Sequence, residues 1–162
     1  MVIMLKDTLL QQFSVCYDRD EWFVAVKNAV ADITAEQAEW KPDASQHSIR
    51  ELINHLSHDV NAFLQRFQGM DYRSTAANND ETFSAVGESW EADLDRFDKI
   101  MTRCGQILQD ADESMLDQRM PPRNEHARIE IANMNAHNAY HGGQILLLRK
   151  LQGAWNPSQG VS

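Results

Sequence analysis

Two histidines one helical turn apart, His137 and His141, are the residues of this chain whose type and spacing carry the most chemistry. Imidazoles at i and i+4 share one face of an α-helix, close enough to converge on a single ion. Both lie on the stripe Met134, His137, His141, Gln144, Leu148, Leu151, spaced 3-4-3-4-3, where a bundle helix otherwise carries apolar side chains. Burying two imidazoles and an amide without partners costs about 1–3 kcal/mol per unsatisfied group. A divalent metal ion would satisfy both rings at once, and bundle cores are where such sites are built from facing helices. A pair of hydrogen-bonded core histidines is compatible with the same spacing. Asn138 stands where the His-Glu-x-x-His zinc proteases carry their general-base glutamate, and this excludes protease chemistry of that type.

Two imidazoles do not complete a metal site, so a third ligand is required. The second candidate helix has the stripe Ile49, Ile53, Leu56, Val60, Phe63, Phe67. His55 flanks that stripe, whereas His58 points away from it, toward solvent or a neighbouring loop. His55 is therefore the better third ligand and His58 the alternative. Asp59 and Gln144 are the candidates for orienting ligands or substrate. Read alone, Asp59 is a solvated helix acid and Gln144 a bridge between helices. No catalytic residue is assigned.

Four helical segments must position these groups, and none shows sustained period-2 alternation. The first covers residues 5–33, with Leu9, Phe13, Cys16 or Tyr17, Phe23 or Val24, and Val30 on one face and an irregularity expected near Asp18-Arg19-Asp20. The second is capped by Ser48, with Glu51 at the capping-box position, and stops at Gly69. The third carries Phe83, Val86, Trp90, Leu94, Phe97, Met101, Cys104 and Leu108. The fourth covers about residues 128–152 and ends at Gly153. The connections 34–47, 69–82 and 110–127 are long for a simple up-and-down bundle, which implies a crossover that lets consecutive helices run parallel. The expectation is an all-α four-helix bundle forming a single domain over residues 1–162.

Composition narrows the function. With 15 basic and 24 acidic residues the formal net charge is −9, a surface that repels phosphate backbones, so no nucleic-acid partner is expected. The apolar runs are too short to cross a membrane. The opening Met1-Val2-Ile3-Met4-Leu5 has no basic lead and is too short for a signal peptide. Cys16 and Cys104 supply neither a disulfide framework nor a Cys-x-x-Cys motif and read as core residues, consistent with a reducing cytoplasm. The four tryptophans, Trp22, Trp40, Trp90 and Trp155, read as packing residues, and His47 and His126 as surface histidines. Gly142-Gly143 in mid-helix serves either close helix packing or room beside an ion.

His55 in S-I-R-E-L-I-N-H-L, preceded by E-Q-A-E-W-K-P-D, and the later H-N-A-Y-H-G-G-Q-I resemble the DinB/YfiT-like metal-binding family in order and spacing over nearly the whole chain. The resemblance implies up-down-down-up connectivity and a three-histidine site for one divalent ion, zinc or nickel. Carried over, the first ligand falls on His55 and the closing pair on His137 and His141. The chain departs from the family pattern at Gly142-Gly143, where members commonly carry a larger residue before the Gly-Gln. Three histidines plus a water fit the open, catalytic type of zinc site. Members with assigned activities include transferases and isomerases that use low-molecular-weight thiols such as bacillithiol or mycothiol. The implied function is a metal-dependent enzyme, a thiol-dependent S-transferase or isomerase of detoxification or stress response, with a small-molecule substrate. The alternative is a non-catalytic metal-binding stress-response protein or interaction module with a structural ion. A homodimer formed through a helix face is compatible with this reading.

Overall fold

The first predicted helix does not run to residue 33. In the computed structural model, which describes residues 5–84 and 87–159, helix α1 (Leu5–Tyr17) ends just before the expected irregularity. The cause is Asp20, whose Oδ1 accepts the Ala25 N–H at 2.8 Å and the Asn28 side-chain amide at 3.0 Å. A short acidic side chain here takes over donors that would otherwise serve a helix. The chain bends and restarts as the single turn α2 (Val26–Ala29). Trp22 lies in that bend and is 95% exposed, which corrects its reading as a packing residue. Trp90 and Trp155 are buried and Trp40 packs against the core, as expected.

The first connection holds a further short helix, α3 (Ala35–Glu39), under a capping box in which Thr34 and Gln37 exchange hydrogen bonds. Helix α4 (Ile49–Phe67) begins as predicted: Ser48 Oγ accepts the Glu51 N–H at 3.2 Å, and Glu51 Oε2 accepts the Ser48 N–H at 2.8 Å. It stops where Gly69 takes a positive φ of 72°, and Gly153 does the same at 71° after the last helix.

Helix α5 (Trp90–Asp110) starts later than its apolar stripe, because the Ser89 side chain accepts the Ala92 N–H and caps it there. Phe83 instead belongs to a separate 3-10 turn, Asp80–Phe83, and Val86 lies outside the described residues, as do Met1 to Met4. The third connection folds into helix α6 (Glu113–Asp117) and a minimal antiparallel ladder. Its strands are β1 (Arg119–Met120) and β2 (Glu125–His126), pairing Arg119 with His126 and Met120 with Glu125. Helix α7 (Ala127–Leu151) follows directly.

The four long helices form a ring. Helix α1 packs on α5 and α7, and α4 packs on the same two. Leu9, Phe13, Ile53, Phe67, Phe97 and Ile145 fill the space between them. The fold is all-α, as the periodicity implied, with the two short strands as the exception. Among the described residues no helix is long and apolar enough to cross a membrane.

The paired glycines of α7 separate cleanly. A Cβ at Gly142 would stand 3.1 Å from Val26 Cγ2, so this glycine lets α2 lie close against α7. A Cβ at Gly143 would meet nothing within 4 Å. Gly143→Ala is therefore expected to stabilise the protein by about 0.5–1 kcal/mol through helix propensity alone. Gly142→Leu should destabilise it by overpacking. Urea unfolding of both variants checks the pair, and a loss of stability in Gly143→Ala would contradict the assignment.

Candidate metal centre

His55 on α4 faces His137 and His141 on α7, and the structure brings all three rings together. His55 Nε2 lies 3.0 Å from His137 Nε2, which lies 3.1 Å from His141 Nε2. One ring nitrogen from each of the three falls within a 4.8 Å cluster that could hold a metal ion.

The outer nitrogens of two rings are fixed. Thr82 donates its hydroxyl proton to the Asn79 carbonyl at 2.5 Å, so toward His55 Nδ1, 2.6 Å away, it acts as acceptor. That arrangement places the proton of His55 on Nδ1 and leaves the Nε2 lone pair facing the cluster. Gln144 donates its amide N–H to the Tyr140 hydroxyl at 3.2 Å and accepts the His141 Nδ1–H at 2.6 Å, which fixes the same tautomer on that ring. Gln144 thus hydrogen-bonds a cluster histidine on its outer nitrogen. Burial pushes His55 down to about 4, against the opposing pull of the Asp59 carboxylate and with help from the neighbouring His141 and His137. Burial also lowers His141, opposed by its hydrogen bond to Gln144. Both rings are therefore neutral near pH 7, the state in which imidazole binds a metal.

These donors fit a cation. Two lone pairs converge on His137 Nε2, and the single proton that nitrogen can carry cannot fully satisfy both. Tetrahedral nitrogen ligands at roughly 2.05 Å from an ion lie about 3.3 Å apart, within a few tenths of an ångström of the His55–His137 and His137–His141 separations, and the three nitrogens together lie within 4.8 Å.

Asp59 is not merely a solvated acid. Its Oδ2 lies 3.6 Å from His55 Nε2 and 3.7 Å from His137 Nε2, and its Oδ1 lies 2.9 Å from His58 Nδ1. His58, the alternative ligand, stays outside the cluster: its Nε2 faces the Tyr72 hydroxyl and Ser74 Oγ, both at 3.1 Å. His137 is the least buried of the three ligand candidates. With Asp59, Phe63, Arg66, Arg123 and Glu130 it lines a cavity of about 390 Å³.

Sequence reasoning missed Thr82 and Phe83. Phe83 stacks on the His55 ring, centroids 4.0 Å apart and planes within 5°, and His47 stacks on the other face of Phe83 at 3.8 Å. His47 is therefore part of an aromatic sandwich that reaches the cluster, not an ordinary surface histidine. His126 also has a local job: it stands at the N-cap position of α7, and its Nδ1 meets the Asp117 carbonyl at 2.7 Å. Phe83 was visible in the sequence only as the start of the third stripe, and nothing near Thr82 marked its role. The two thiols play no part: burial pushes Cys16 up to about 11 and Cys104 up to about 12.

No curated protein and no solved structure matches this chain. The family model of the DinB superfamily matches residues 24–145, from the bend before α2 to beyond Gln144, and so spans His55, His137, His141 and the 3-10 turn that braces the first of them. Matched over well more than half its length, the chain belongs to the DinB superfamily.

Proposed function

We propose that His55, His137 and His141 hold one divalent metal ion, zinc or nickel, and that the protein is a metal-dependent enzyme acting on a small molecule in thiol transfer or isomerisation. One observation carries the reading. Three imidazoles from two helices turn ring nitrogens toward a common point, two of them with their outer nitrogens already committed to Thr82 and Gln144. When bound, such an ion supplies Lewis acidity that turns a thiol or a water into a stronger nucleophile near neutral pH. The chain supplies the rest. Phe83 and Thr82 hold the His55 ring from its face and its outer edge. Asp59 offers a carboxylate beside the cluster that can accept a proton from an incoming thiol. The cavity beside His137 gives a small substrate access.

The position of Asp59 also favours a second reading. A small rotation would let its carboxylate close the fourth position, which would make the ion a staple between α4 and α7. A cobalt-substituted protein separates the two: its visible spectrum should shift on adding a small thiol if the position is open and stay unchanged if Asp59 closes it. Two measurements test the main reading. Protein purified without an affinity tag should carry about one divalent ion per chain, and a panel of thiols with model electrophiles should show turnover that stops on chelation. Finding no ion under conditions that preserve it would sink the metal assignment, and turnover unaffected by chelation would sink the mechanism.

The ring-holding groups make a separate prediction. Thr82→Val, which keeps the shape and removes the acceptor, should weaken metal affinity about 10–100-fold, and Gln144→Leu should do the same through His141. Competition with a chromophoric chelator measures both, and Thr82→Ser should restore the affinity.

A further inference from the structure

The cavity that reaches His137 and Asp59 has a second end built from arginine. Arg66 is anchored there, its NH1 donating to the Pro121 carbonyl at 2.9 Å and its Nε to the Ala62 carbonyl at 3.3 Å, while its NH2 lies 3.5 Å from Glu130 Oε2. Glu130 is buried at 6% exposure, and its Oε1 has no hydrogen-bond partner among the described residues. Arg123 faces that oxygen at 3.6 Å, too far for a hydrogen bond, and makes no hydrogen bond among the described residues. Its side chain is 70% exposed. The contact is long and the guanidinium largely exposed, so the N–H donors of Arg123 stay open to a further acceptor at this cavity.

We propose that Arg123, backed by Arg66, binds a carboxylate of the substrate, so that the cavity takes a small carboxylate-bearing molecule with its reacting end at the histidine cluster. This deepens the metal-enzyme reading and rests on it for the reacting end. Charge supports it. The lining carries two guanidiniums, from Arg66 and Arg123, against two carboxylates, from Asp59 and Glu130, and these cancel. A divalent ion at the histidines then leaves the cavity doubly positive in a chain whose net charge is −9. A concave positive site in an acidic surface draws anions and passes over cations. The planar fork of Arg123 matches a carboxylate, and its unused N–H donors suit a two-point contact. A volume of about 390 Å³ suits a small molecule.

The test compares 3-mercaptopropionate with its neutral amide, 3-mercaptopropionamide, titrated into metal-loaded and metal-free protein and followed by calorimetry and NMR. Metal content is measured on the same samples. The carboxylate should bind about tenfold or more tightly than the amide in both forms of the protein. Arg123→Gln should abolish that preference without changing amide affinity or metal content. Arg128→Gln, whose arginine pairs with Glu113 and Asp117 instead, should leave the preference intact. Equal binding of acid and amide, or an unchanged preference in Arg123→Gln, would overturn the proposal. An absent ion would count against the metal reading alone, because the metal-free titration reads the arginine end independently.

Discussion

Replacing His137 or His141 with alanine is expected to lower the bound divalent ion from about one per chain to less than about a tenth, while the protein stays folded. Each substitution leaves two imidazoles, and two ligands do not hold an ion against water and buffer. The fold should survive because alanine is the strongest helix former and α7 keeps its apolar contacts. His55→Ala should act in the same direction. His58→Ala should not, because His58 lies against Asp59, Tyr72 and Ser74, outside the cluster. Elemental analysis paired with circular dichroism reads both halves of this prediction. Full metal content in His137→Ala or His141→Ala, or its loss in His58→Ala, would show that the ligand set is wrong.

The second large effect lies away from the cluster. Asp93 on α5 is fully buried, and its carboxylate accepts from Arg50 Nε at 2.7 Å, from the Gly87 N–H at 2.7 Å and from the Asn54 amide at 3.4 Å. Arg96 lies 3.6 Å away and donates to Asn54 Oδ1 at 2.7 Å. Burial alone would push the Asp93 carboxyl up, but Arg50 and the Gly87 N–H outweigh it and hold the group below the usual carboxylate range. Asp93→Ala removes the acceptor shared by these donors and leaves the Arg50 guanidinium with Glu39 and the Gly87 carbonyl. The expected cost is about 1–3 kcal/mol, the range for leaving buried hydrogen-bond donors unsatisfied. The acid limb should change as well. A carboxyl held low in the folded state contributes stability above its ordinary value and loses it as pH falls through the lowered one, so wild type should lose stability in acid more steeply than the variant. Urea unfolding from neutral to acidic pH measures both effects, and a cost below about 1 kcal/mol would show that the network is dispensable. Because Asn54 precedes His55, the same network ties α4 to α5 beside the residue that faces α7.

Much of the fold was written locally. Ser48 and Glu51 form their capping box, and Gly69 and Gly153 take the positive φ that ends their helices. Both signals depend on side chains within a few residues, so the sequence states them directly. Thr34 and Gln37 carry the same signature, inside a stretch that hydrophobic periodicity alone reads as a connection. Asp20 shows the limit of periodicity. The apolar pattern continued past Tyr17, but a carboxylate able to take two donors across the bend outweighed it. The late start of α5 has the same character, since one Ser89 cap overrode a stripe that began at Phe83.

For the candidate site, the sequence by itself determined His137 and His141, because a shared helix face follows from i, i+4 spacing alone. It placed His55 only at the edge of an apolar face. What brings His55, and not His58, into the cluster is tertiary: how α4 is rotated against α7, and the arrival of Thr82 and Phe83 from a distant turn to hold one imidazole by its edge and its face. Asp59 beside the cluster, and Arg66, Arg123 and Glu130 around one cavity, are likewise contacts between segments far apart in the chain. Local spacing sets which side chains share a helix face, but the rotation and depth at which two faces meet come from the packing of the whole core, and no short stretch of sequence records that.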